Sequence, residues 1–118
     1  MAIRITLATL VAALLVGVGA AAAASHATKL QASVADPAKI GLTMGGKTVK
    51  SLKAGTYTVV VKDTAADHDF HLTGPGVNKT TSVGGKGTST WTVTFKKGTY
   101  TYVCDPHSAF MKGSFKVS

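Results

Sequence analysis

The sequence lacks glutamate altogether and has a single arginine, Arg4, near its start. Five acidic residues accompany 13 Lys and Arg residues in 118 positions, which gives a formal net charge of +8. The lysines are scattered, with one adjacent pair at Lys96-Lys97. Nucleic-acid recognition relies on clustered basic residues and on the bidentate contacts of arginine. The composition therefore argues against a nucleic-acid partner and favours acidic partner proteins or an acidic envelope surface.

Long hydrophobic runs are also scarce, and the one that is present lies at the N-terminus. Residues 5–24 are apolar or small and follow the positive Arg4, and the run ends in small residues that suit a signal peptidase. We predict a signal peptide over residues 1–24, with a second possible cut after Ala27, followed by one domain over residues 25–118. The alternative is an uncleaved membrane anchor. Cleavage would release an exported protein, soluble or envelope-associated, which we expect to be a monomer.

Cysteine is the scarcest of the reactive residues, because Cys104 is the only one, which excludes a disulfide within the chain. Exported proteins usually carry cysteines in pairs. An unpaired thiol outside the cytoplasm oxidises or forms intermolecular disulfides unless something holds it. A metal ion is one such holder, so Cys104 is the first candidate functional residue.

Helical periodicity is missing beyond the N-terminal run, which argues against a helical domain. Short runs of β-branched and aromatic residues alternate instead with turns that contain Gly or Pro. Residues 88–95 alternate between apolar residues and threonine, and residues 99–104 place Cys104 on one face with two tyrosines. Further strands are predicted at 48–52 and 68–73, among others. The pattern predicts an all-β, Greek-key antiparallel β-sandwich of seven to eight strands.

Two segments of the chain resemble each other. Residues 52–57 read Leu-Lys-Ala-Gly-Thr-Tyr, and residues 95–100 read Phe-Lys-Lys-Gly-Thr-Tyr. Each suggests the entry to a strand, at which the tyrosine packs back over a turn.

One loop brings together three metal-binding side chains. Cys104-Asp-Pro-His107-Ser-Ala-Phe-Met111 offers a thiolate, an imidazole and a thioether within eight residues, between two predicted strands. Soft sulfur ligands with imidazole select copper, and one Cys with two His and a distant axial Met is the blue-copper set. Each residue alone is more often a buried Cys, a core Met or a surface His. Their combination at this spacing predicts one bound copper ion.

The second imidazole has to come from elsewhere, and His68-Asp-Phe-His71-Leu offers two candidates. On a strand, His68 lies on the same face as Phe70 and Leu72, whereas Asp69 and His71 lie on the other. The apolar pair marks the inward face. Strand parity therefore favours His68 as the ligand and turns His71 outward or against a neighbouring strand.

These motifs resemble the cupredoxins, the family of plastocyanin, amicyanin, pseudoazurin and azurin, over about residues 29–118. His68-Asp-Phe-His71-Leu is similar to the family strand whose first histidine binds copper. The segment from residue 100 to residue 113 resembles the amicyanin loop, with one extra residue between the histidine and the methionine. The resemblance implies His68, Cys104 and His107 as strong ligands and Met111 as the weak axial one.

One-electron transfer between Cu(I) and Cu(II) is the function that this resemblance implies. No motif for an open metal position beside a general base is present, so we expect a carrier and no enzyme. The electron would leave through the edge of His107, which Pro106, Ala109 and Phe110 surround, and acidic redox partners would dock there. Two other classes stay open: an envelope module for copper storage, delivery or sensing, and a metal-free adhesion or structural sandwich.

Asp69 departs from the resemblance, because the family commonly has Asn after the first ligand histidine. In the family, that Asn helps to tie its strand to the loop just beyond the cysteine. Here the residue after Cys104 is Asp105, so the same tie would bring two carboxylates together. Alternatively, Asp69 points into solvent or toward a lysine.

Overall fold

The computed structural model describes residues 26–118; the predicted signal peptide lies outside the described residues. This part of the chain folds into ten strands and one short 3₁₀ turn, Asp105–His107. The strands are β1 (Thr28–Ala35), β2 (Lys39–Met44), β3 (Lys47–Thr48), β4 (Ser51–Leu52), β5 (Gly55–Asp63), β6 (His71–Gly74), β7 (Val77–Thr80), β8 (Gly87–Phe95), β9 (Gly98–Val103) and β10 (Lys112–Val117). Within residues 26–118, no helix has the length and hydrophobicity that a membrane span needs.

Two five-stranded sheets face each other. One has the order β3-β2-β1-β5-β8 and the other β4-β10-β9-β6-β7. Alternate residues of both sheets are buried and meet in one hydrophobic core, for example Leu30 and Val59 from the first sheet and Leu72 and Phe115 from the second. The predicted β-sandwich is therefore confirmed.

Both sheets are mixed, whereas the sequence predicts antiparallel ones. β1 pairs with β5 in parallel, and β10 pairs with β4 in parallel. The predicted strand at 48–52 divides into β3 and β4, which belong to different sheets. Val49 lies between them with its side chain buried, and its N–H donates to the carbonyl of Leu42 at 2.9 Å. This sheet switch contributes to the observed count of ten strands, against the seven to eight predicted.

The two similar segments form similar corners. The Tyr57 hydroxyl donates to the carbonyl of Lys53 at 2.8 Å. The Tyr100 hydroxyl accepts the N–H of Lys96 and donates to the carbonyl of Pro75, both at 2.9 Å. In both cases the tyrosine packs back over the turn, as the sequence predicts, and its hydroxyl contacts the residue four positions before it.

The pairing of β6 with β9 positions the candidate metal ligands. These strands run antiparallel, with His71 opposite Val103. Residues just before β6 therefore lie beside residues just after β9. His68 and Cys104 occupy these two positions, so the sheet brings to one end of the sandwich two residues whose numbers differ by 36.

Candidate metal centre

The loop from Cys104 to Met111 is folded tightly by its own backbone. The N–H of His107 donates to the carbonyl of Cys104 at 3.0 Å, in the 3₁₀ turn Asp105–His107, and Pro106 favours the start of this turn. The N–H of Met111 then donates to the carbonyl of His107 at 2.9 Å, and the N–H of Cys104 donates to the carbonyl of Met111 at 2.9 Å. The two ends of the loop are thus joined by hydrogen bonds. The extra residue between His107 and Met111 does not prevent these bonds.

Three ligand atoms converge inside this loop. Nδ1 of His68 lies 3.1 Å from Nδ1 of His107, and Sγ of Cys104 lies 3.5 Å from each of these nitrogens. His68 and Cys104 are buried, and His107 is partly exposed. The two imidazole rings meet edge to face, with centroids 4.8 Å apart. We call these three residues the donor triangle.

The donor triangle fits a transition-metal ion. A point equidistant from its three atoms lies about 2 Å from each, close to the bond lengths that nitrogen and sulfur ligands make with first-row metals. Without a metal, burial raises the pKa of the Cys104 thiol, which then keeps its proton. A bound cation would displace that proton, because the thiolate is the ligand form.

His68 lies just before β6, whereas the sequence places it within a strand. The predicted inward face is nevertheless correct, since His68, Phe70 and Leu72 are all buried. His71 is partly exposed and lies outside the donor triangle, as predicted. Asp69 differs from the expectation because it is buried as well, at 2 % exposure, although parity assigns it to the outer side.

Asp69 is buried because it belongs to a second cluster, on the other side of the same segments. We call this cluster, formed by Asp69, His71 and Asp105, the tie cluster. Oδ1 of Asp69 accepts the backbone N–H of Asp105 at 2.6 Å, and Oδ2 accepts the hydroxyl of Thr80 at 3.2 Å. The carboxylate of Asp105 lies 3.0 Å from Nδ1 of His71, and Nε2 of His71 lies 2.6 Å from Oδ1 of Asn78. The predicted tie between the histidine segment and the loop therefore exists, and it uses the backbone of Asp105.

The three titratable groups of the tie cluster have shifted pKa values. Burial, together with the neighbouring carboxyl group of Asp105, raises the pKa of Asp69. Hydrogen bonds from Asp69 and His71 lower the pKa of Asp105. The hydrogen bonds of His71 to Asn78 and Asp105 raise the pKa of His71. Each carboxyl group therefore shifts the pKa of the other, as the sequence predicts for a tie made through Asp69.

A profile of the copper-binding proteins of the plastocyanin/azurin family matches residues 36–118. The chain belongs to this family. Copper is therefore the cofactor, and His68, Cys104 and His107 form a copper site of the cupredoxin type. None of the curated proteins matches the chain.

Solved structures of rusticyanin have a similar fold. Reduced rusticyanin aligns with a TM-score of 0.57 and 19 % identity, over 79 % of this chain and 80 % of that chain. A mutant of rusticyanin gives 0.59 and 21 %, over 79 % and 78 %. Rusticyanin from Thiobacillus ferrooxidans gives 0.55 and 21 %, over 79 % and 78 %. At these identities the likeness shows the cupredoxin fold.

Met111 closes the cupredoxin loop. Its backbone lies beside Cys104 through the hydrogen bond described above, and its side chain is 1 % exposed. The thioether is therefore buried at the end of the loop that carries two of the three strong donors. Its role as axial ligand stays a prediction.

Two aspartates near the site have no signal in the sequence. Oδ1 of Asp36 lies 3.2 Å and Oδ1 of Asp67 lies 3.8 Å from Nε2 of His68. Asp36 is in the turn between β1 and β2, far from the ligand motifs in sequence. A loop aspartate ordinarily indicates a turn, so only the fold reveals this contact.

Proposed function

We propose that this cupredoxin is a blue copper protein that carries one electron at a time in the cell envelope. The observation that supports the proposal best is the donor triangle, with two imidazole Nδ1 atoms and one thiol Sγ converging at 3.1–3.5 Å. His68, Cys104 and His107 would be the strong ligands, and Met111 the weak axial one. Bound copper would supply the exchange between Cu(I) and Cu(II).

The protein's own contribution is a rigid site. The donors come from two segments that the tie cluster joins, and the loop is closed by backbone hydrogen bonds at both ends. Electron transfer is faster when the ligands move little between the two oxidation states. A preorganised cage of this kind therefore suits a carrier better than an enzyme, which needs an open coordination position for its substrate.

The exposed edge of His107 is the proposed exit for the electron. His107 is the one partly exposed member of the donor triangle, and Phe110 packs beside it with ring centroids 5.6 Å apart. Phe110 is 64 % exposed, and Pro106 and Ala109 are exposed next to it. A small apolar surface around a ligand suits brief docking, because weak redox interfaces are small.

Copper binding and redox activity are tested together on the protein without its predicted signal peptide. Addition of Cu(II) should produce the intense visible band that thiolate-to-copper charge transfer gives, and one equivalent should saturate it. A fast electron self-exchange rate then supports a carrier. A slow rate with the same spectrum would support storage, delivery or sensing, and failure to take up copper would overturn the proposal.

The proposed partners are acidic redox proteins, because the chain has 13 Lys and Arg residues against five acidic ones. Attraction between exposed charges is screened over about 10 Å at 0.1 M salt. The rate of electron transfer to an acidic partner should therefore fall as ionic strength rises. A rate that stays level or rises would indicate apolar docking or a basic partner.

A further inference from the structure

The two ring nitrogens of His68 have different surroundings. Nδ1 belongs to the donor triangle, whereas Nε2 is buried and has no hydrogen-bond partner among the described residues. Two carboxylates lie within 4 Å of it, those of Asp36, at 3.2 Å, and Asp67, at 3.8 Å. Both aspartate side chains are about two-thirds exposed, at 68 % and 67 %. The orphaned atom therefore faces two negative groups that reach it from the surface.

Copper binding decides which nitrogen carries the proton. A neutral imidazole has one N–H, so a metal at Nδ1 leaves the proton on Nε2. A buried N–H without an acceptor is costly, and a carboxylate is the acceptor that commonly stands behind a ligand histidine. Asp36 is close enough that a small rotation of its exposed carboxylate would complete this hydrogen bond.

We propose that Asp36 is a positioning residue for the copper site and that it accepts the Nε2–H of His68. Asp67 adds a second negative charge, whose effect is smaller because it lies farther away. The inference rests on the proposed function, since it takes His68 as a copper ligand. Such a carboxylate fixes the tautomer of the ring and raises the basicity of Nδ1. It therefore stabilises Cu(II) more than Cu(I) and lowers the reduction potential.

His107 provides an internal contrast. In residues 26–118, no carboxylate lies within 4 Å of a ring nitrogen of His107. The carboxylates of Asp36 and Asp67 lie against the buried histidine, so the two imidazoles of one site would differ in their surroundings.

Reduction potentials of copper-loaded variants test the proposal. Asp36→Asn should weaken Cu(II) binding about tenfold relative to Cu(I), which raises the one-electron potential by about 59 mV. Asp67→Asn should give a smaller rise because its oxygen is farther away, and Asp36→Glu should retain most of the wild-type potential. Ser51→Lys is the control: it changes the net charge equally, on an exposed residue of β4 that pairs with the far end of β10.

The rate at which the Nε2 proton of His68 exchanges with water gives a second measurement. In the Cu(I) protein, the Nε2–H resonance of His68 should exchange slowly with water, and Asp36→Asn should make the exchange several-fold faster. A potential of Asp36→Asn that matches Ser51→Lys, or an unchanged exchange rate, would overturn the proposal even if every variant binds copper with the blue spectrum. If wild type and variants alike lack that spectrum, the proposed function fails first.

Discussion

Two clusters of three side chains lie on opposite sides of the same two chain segments. The donor triangle takes His68 from the first segment and Cys104 and His107 from the second. The tie cluster takes Asp69 and His71 from the first segment and Asp105 from the second. Both clusters bring potential metal-binding atoms within 4.8 Å of one another. Proximity alone therefore does not separate a metal site from a structural contact.

The hydrogen bonds separate them. In the tie cluster the carboxylates accept a backbone N–H, a threonine hydroxyl and an imidazole, so its acceptors are already paired. In the donor triangle the three atoms face one another, and one of them is a soft sulfur. A metal in the tie cluster would have to break contacts that hold the loop, whereas a metal in the donor triangle would only displace protons.

The largest expected effect comes from exchanging one atom in each cluster. Cys104→Ser should abolish the visible band entirely, because the band needs a thiolate and a serine hydroxyl is a poor copper ligand. Asp105→Asn should keep the band, because the backbone N–H that binds Asp69 remains. Absorption spectra of the two copper-loaded variants check this. A band that survives in Cys104→Ser would show that Cys104 is not a copper ligand.

Removing a histidine from each cluster sharpens the comparison. His68→Ala should weaken Cu(II) binding by more than about 100-fold, since it deletes a ligand, whereas His71→Ala should weaken it by about tenfold or less, since it loosens a neighbouring contact. Competition with a chelator of known affinity measures both losses. Equal losses would mean that strand parity does not identify the ligand.

The sequence identified the donor triangle for a physical reason. Three of the proposed four ligands lie within eight residues, and strand alternation tells which side of a segment His68 faces. Alternation does not tell which strand lies alongside. The parallel pairing of β1 with β5 and the contact of Asp36 with His68 depend on topology, and the burial of Asp69 depends on a loop that folds over it.

The smallest effect concerns the charge of Asp69. An acid whose pKa is raised by folding binds protons more tightly in the folded state. The free energy of unfolding therefore falls as the pH rises from the unfolded pKa, 3.8, through the folded one, and stays lower above it. Asp105, whose pKa is lowered, has the opposite effect and is stabilising above pH 3.8, until the pH falls through its folded pKa. The raised pKa of His71 stabilises the protein below 6.5, and this contribution is lost as the pH rises through the folded value.

Asp69→Asn should remove the contribution of Asp69, and it should also reduce the shifts of Asp105 and His71, because Asp69 is one cause of both. The amide oxygen can still accept the N–H of Asp105, and the amide N–H can donate toward the hydroxyl of Thr80 or the carboxylate of Asp105. We expect the metal-free variant to be more stable than wild type at pH 7, by on the order of 1 kcal/mol, with the difference shrinking toward pH 4. Denaturant unfolding from pH 4 to pH 8 measures it, and Ser51→Lys controls for net charge. Parallel curves for wild type and Asp69→Asn would mean that Asp69 carries no unfavourable charge in the fold.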